Sequence, residues 1–165
     1  MCAVQLMSVR PNPREAHLHD LEKLVKRNSE RIGLYAPGSE RVAKVEHDIG
    51  KIRELIGSKF NGDSVFGGVV QQHESCIEKA YARYLAAVRN HLPASKDLLG
   101  QVNAIRAAGV GKAGPAEYGS LRRLHGKYQV EVNTPLIGSI CEIDEVAKRL
   151  HSFKQSLKEA KKQKR

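Results

Sequence analysis

Residues 64–92 read SVFGGVVQQHESCIEKAYARYLAAVRNHL, and no proline interrupts them before Pro93. At 100° per residue, Val70, His73, Ile77, Ala80, Tyr81, Tyr84, Leu85, Val88 and Leu92 share one face of a helix. Gln71, Ser75, Glu78, Lys79, Arg83, Arg89 and Asn90 fall on the other. The apolar arc is about 160° wide, broader than a two-stranded seam requires. A helix coated in this way needs two or three neighbours. The stretch therefore predicts the central helix of an all-α bundle, with Ile77, Tyr84 and Val88 buried together.

The flanking sequence repeats the helical pattern. Upstream, Asn12-Pro13-Arg14-Glu15 is a helix start, with a capping Asn and Pro at the first position. Leu18, Leu21, Leu24, Val25, Ile32 and Tyr35 follow at helical spacing until Pro37-Gly38 breaks the run. Ser39 caps a second helix striped by Val42, Val45, Ile49, Ile52, Leu55 and Ile56. Downstream, Ser95 is read as the cap of a shorter helix and Gly109 to Gly114 as the most flexible internal stretch. Pro115 restarts a helix, Val130-Glu131-Val132 reads as a brief extended piece, and Thr134-Pro135 opens the last helix. Six helices are expected near 13–35, 39–57, 64–92, 95–108, 115–129 and 135–160. No segment alternates with period two for long, so a bundle with short loops is the predicted architecture. One domain over 12–157 is expected, with a flexible lead-in at 1–11 and a flexible basic tail at 158–165.

The chain has 165 residues and a net charge of +10. That length buries enough surface to fold without disulfides or metals. The charge is uneven: residues 148–165 hold eight Lys or Arg against Glu159 alone. The longest uncharged runs are ten residues, well short of the roughly 18 a membrane-spanning helix needs. The first residues lack a positive segment before their apolar part, so no secretory signal is expected, while a transit peptide is left open. Cys2, Cys76 and Cys141 form no CxxC pair, which points to a reducing, intracellular setting, cytoplasmic or nuclear, with organelles left open. Cys76 and Cys141 are expected as small core residues.

Chemical motifs are scarce. Residues 108–114, AGVGKAG, suggest a phosphate loop, but its first glycine position holds Arg106 and its Ser/Thr position holds Ala113. None of the seven histidines follows an acid by three residues, and no two stand four apart, so helical metal pairs are absent. No catalytic, cofactor-binding or metal-binding residue is assigned, and no cofactor is expected. His73 is read as a hydrogen-bonded core histidine, and Tyr81 and Tyr84 as packing residues rather than a base-stacking platform. The similar stretches at His19-Asp20 and His47-Asp48 are read as chance likeness between amphipathic helices. The remaining candidate site is a polyanion-binding surface formed by Lys158, Lys161, Lys162, Lys164 and Arg165, with Arg122, Arg123 and Lys127.

Three functions follow in order of expectation. The first is a non-enzymatic helical interaction module, an adaptor or subunit whose partner is another protein or a second copy. The second is nucleic-acid binding through the basic C-terminal segment, with an anionic membrane surface as a weaker variant. The third is an enzyme with a helical pocket that sequence does not reveal.

Overall fold

The computed structural model describes residues 12–59 and 64–163. About 92% of these residues are helical and none lies in a strand. Four helices form, not about six: α1 (Pro13–Leu34), α2 (Glu40–Lys59), α3 (Ser64–Ala108) and α4 (115–163). The lead-in at 1–11 and the turn around Asn61-Gly62-Asp63 lie outside the described residues, as do Lys164 and Arg165.

Two expected breaks, at Pro93 and at 130–134, do not occur. Pro93 sits inside the 45-residue α3, although it removes a backbone donor and normally costs about 3 kcal/mol. Burial carries the helix through it. Ala94, Ser95, Leu98, Val102 and Ile105 continue the inward stripe while Pro93 itself faces solvent. Ser95 is thus not a cap: its hydroxyl donates to Leu92 O at 3.0 Å within the helix.

The second expected break, at 130–134, is a π-helical turn, Gln129–Asn133, between α-helical Pro115–Tyr128 and Thr134–Gln163. Buried positions explain it. Leu121 and Tyr128 stand seven apart, as do Leu136, Ile143, Leu150 and Leu157, but eight residues separate Tyr128 from Leu136. The wider turn absorbs the extra residue, keeps both series inward, and leaves Val130 outside at 73% exposure. It also opens the i−4 spacing on which Pro135 would otherwise clash.

On α3 the same repeat of seven runs through Val70, Ile77, Tyr84, His91, Leu98 and Ile105, all buried or half-buried. A straight wheel drifts about 20° per heptad from such a seam. Three heptads from Val70 the drift reaches about 60°. Leu92 consequently faces solvent at 68% exposure, and His91 takes the inward place. Tyr84 is buried as expected, with Ile77 and Val88 partly buried against the same cluster.

α3 is about 68 Å long at 1.5 Å per residue, and α4 folds back antiparallel along it. Gln101 meets Glu117 at one end, and His73 stacks on Phe153 towards the other. The third position of the bundle is filled twice, by α1 and then α2, which run in the same direction end to end. Asn12 caps α1, its side chain accepting from Arg14 N at 3.0 Å. Tyr35 ends it, and Gly38, at φ +82°, takes the left-handed turn that redirects the chain into α2. Three apolar clusters follow along the rod. Leu18, Leu21 and Val25 pack on Leu98, Val102 and Tyr128; Tyr35 on Tyr84 and Leu136; Ile52 on Val70, Leu150 and Leu157.

Candidate functional site

The clearest concavity is a groove of about 910 Å³ where α2 meets the α3–α4 hairpin. Its lining is mostly apolar: Val42, Val45 and Ile49 from α2, Ile77, Tyr81, Ala82 and Leu85 from α3, and Ile143 and Ala147 from α4. Local sequence creates the space. Ala82 and Ala147 present only methyl groups where a Leu would fill the gap. Val42, Val45 and Ile49 stay half-buried, and Leu85 is 37% exposed.

Polar contacts stitch α2 to α4 at both ends of the groove. At one end the Tyr35 hydroxyl donates to Asp144 at 2.6 Å and accepts from Arg41 at 2.6 Å, and Arg41 also pairs with Asp144 at 3.7 Å. Burial, then the hydrogen bond and charge of Asp144, push the Tyr35 phenol up to about 12, against the opposing pull of Arg41. At the other end Lys154 donates to Asp48 in a buried ion pair, with His151 at 3.5 Å from the same carboxylate. Burial works to raise the Asp48 carboxyl, but Lys154 and His151 outweigh it and hold it below the usual range. On the α3 side, Arg53 pairs with Glu74 across the α2–α3 seam, at 2.6 Å and beyond the groove's end. The seam towards α3 is therefore the open one. There the Tyr81 hydroxyl is buried with no hydrogen-bond partner, an unusual state for a polar atom. Its phenol is raised by burial and by the nearby charge of Glu46.

A second constellation joins α1, α3 and α4. Ser29 Oγ lies 3.1 Å from His91 Nε2, and the Tyr128 hydroxyl lies 3.2 Å from His91 Nδ1. This resembles a nucleophile with its base, but proton directions argue otherwise. The single Ser29 hydroxyl proton goes to Val25 O at 3.0 Å. His91 Nε2–H must then donate to Ser29, leaving Nδ1 to accept from Tyr128, which accepts from Asn28 Nδ2 at 2.9 Å. The chain of bonds is satisfied as a brace across three helices. Burial lowers the affinity of His91 for a second proton.

The polyanion candidates divide. Arg122, Arg123 and Lys127 are exposed near the start of α4. Lys158, Lys161 and Lys162 lie on its last turns, which stay helical through Gln163. About 45 Å of helix separates Lys127 from Lys158 at 1.5 Å per residue, so the described residues form two patches and not one. Lys164 and Arg165 fall outside the described residues.

The loop at 109–114 is a compact turn. Gly109 adopts φ +98°, its carbonyl accepts from Lys112 N and Ala113 N, and Ala113 is buried. Those two amides are thereby unavailable to cradle a phosphate. Cys76 and Cys141 are exposed and not core residues, because the heptad seams pass beside them. His73 is half-buried, bonded to Val69 O at 2.8 Å and stacked on Phe153. The two similar stretches differ in role: Asp48 is buried in an ion pair and Asp20 is exposed.

No protein-family model, curated protein or solved structure matches this chain. Among the described residues no group of three or more His, Cys, Asp or Glu is placed to hold a metal ion. No helix there is long and apolar enough to cross a membrane.

The groove was not visible from sequence. Every residue lining it reads as an ordinary stripe or flank position. A signal was present in the small residues Ala82 and Ala147, and it acquires meaning only once α2 is known to lie over both.

Proposed function

We propose that this chain is a protein-interaction module whose docking site is the groove between α2, α3 and α4. The apolar lining of that groove carries the reading. A helical rod that leaves Val42, Val45, Ile49 and Leu85 incompletely covered at one place offers a partner apolar area to bury. The separation of the two basic patches weighs against a single continuous nucleic-acid footprint, since contiguous cationic surface is what tracks a phosphate backbone.

Site-specific photocrosslinking tests the reading. A photoreactive phenylalanine analogue at Leu85 is expected to trap a defined protein partner in native extract. The adduct disappears when Ala147→Trp fills the groove, while an analogue at Arg123 gives none. Adducts at Arg123 that vanish on nuclease treatment, with none at Leu85, would transfer the function to the basic patches.

A further inference from the structure

The two seams beside α2 differ in charge and in closure. Towards α4, the acids are already held: Asp144 by Arg41 and Tyr35, and Asp48 by Lys154 and His151. Lys44 and Lys148 also line the groove, but Lys44 stands about 160° around α2 from Glu46 at 3.6 residues per turn, and Lys148 belongs to α4. Towards α3, Glu46 on α2 lies close enough to bias the Tyr81 phenol, and Glu78 stands one helical turn before Tyr81 on α3. Neither Glu46 nor Glu78 makes an ion pair with a described residue, and both are exposed. The open mouth thus carries two carboxylates that no described cation pairs with, beside the apolar lining of the groove.

The chemistry of an occupant follows. The walls are side chains of helices whose own backbone groups are already bonded, so the groove has no strand edge to pair with an extended peptide. A peptide buried there must satisfy its backbone internally, which makes it a helix. The lining spans Ile77 to Leu85 on α3, about 12 Å, or two to three helical turns. Adding such a helix would complete a local four-helix cross-section. Resting on the protein-docking reading above, we infer that the partner segment is an amphipathic helix that places a Lys or Arg between Glu46 and Glu78. The two carboxylates neutralise that cation at the rim.

The test uses two synthetic peptides with the same leucine face, one flanked by lysines and one by glutamates, and fluorescence anisotropy on the full chain. The net charge of +10 makes the test stringent, because overall electrostatics favours the glutamate peptide. The lysine-flanked peptide is expected to bind about tenfold more tightly, as two rim ion pairs together supply. Glu46→Lys with Glu78→Lys is expected to reverse that order, with helical content unchanged by circular dichroism. Tighter binding of the glutamate peptide to the unmodified chain overturns the charge assignment and leaves docking intact. Binding of neither peptide, or binding that survives Ala147→Trp, overturns the docking reading itself.

Discussion

α1 and α2 are consecutive amphipathic helices that occupy the same position against one hairpin, yet one is seated and the other stands off. α1 buries Leu18, Leu21, Val25 and Asn28 at alternating spacings of three and four. Its inner polar residue, Asn28, joins Tyr128 and His91 in a satisfied network. α2 fully buries only Ile52 and Asp48 among its described side chains, and its other Val, Leu and Ile residues are half-covered. The facing surfaces account for part of this. Opposite α1 stand Leu98, Val102, Ile105, Leu121 and Tyr128; opposite the first half of α2 stand Ala82 and Ala147. The groove is an apolar stripe whose counterpart is too small to close on it.

If α2 is held by ion pairs more than by apolar contact, removing Lys154 should have the largest effect. Lys154→Ala leaves Asp48 buried with only His151 beside it, and a loss of about 3–5 kcal/mol is expected. Hydrogen exchange should accelerate within 40–59 before 13–34. Asp48→Leu combined with Lys154→Met should recover most of the loss, and an equally unstable double variant would show that shape, not charge, was disturbed.

Apolar truncation gives the next contrast. Leu21→Ala should cost about 3 kcal/mol, because its surroundings are closed, whereas Val45→Ala should cost under about 1 kcal/mol. Equal losses in denaturant melts would mean that α2 is seated like α1.

Adding volume reverses the sign. Ala94→Leu, in the closed cluster, should destabilise by about 1–3 kcal/mol. Ala147→Leu enters the groove and should be neutral or stabilising by up to about 1 kcal/mol.

Acid should separate the halves by pH. The folded-state affinity of His91 for a proton is lowered by burial, and that of His125 by burial and then by His17. The unfolded chain therefore takes up these protons first. Stability from the α1 side is complete above about 6.5 and declines as pH falls from there through the lowered folded values. Asp48 is lowered by its cations, so the α2 side keeps its contribution above 3.8 and loses it as pH falls below that towards the folded value. Exchange measured at pH 7, 5 and 3 should show 13–34 loosening before 40–59, and the opposite order would contradict both assignments.

The all-α class, the start of α1 at Asn12-Pro13 and the ends near Pro37-Gly38 and Gly109 were legible because each depends on nearby residues. A side-chain oxygen caps the next turn, and a glycine permits a left-handed φ. The breaks assigned at Pro93 and at 130–134 were local inferences too, and packing overrode both. The sevens on α3 and the eight-residue step from Tyr128 to Leu136 were present in the sequence. They become interpretable once two long helices are known to lie side by side, since the cost of a proline or a π-turn is offset by burial against a partner that sequence does not place. The groove, the brace around His91 and the Asp48–Lys154 pair belong wholly to the tertiary structure. Asp48 and Lys154 stand 106 positions apart, and no local rule distinguishes them from other surface charges. The sequence by itself determined where helices form, through periodicity and capping. Tertiary structure decided how long they run and which stripe stays uncovered, because those depend on the volume of the side chains that meet across the bundle.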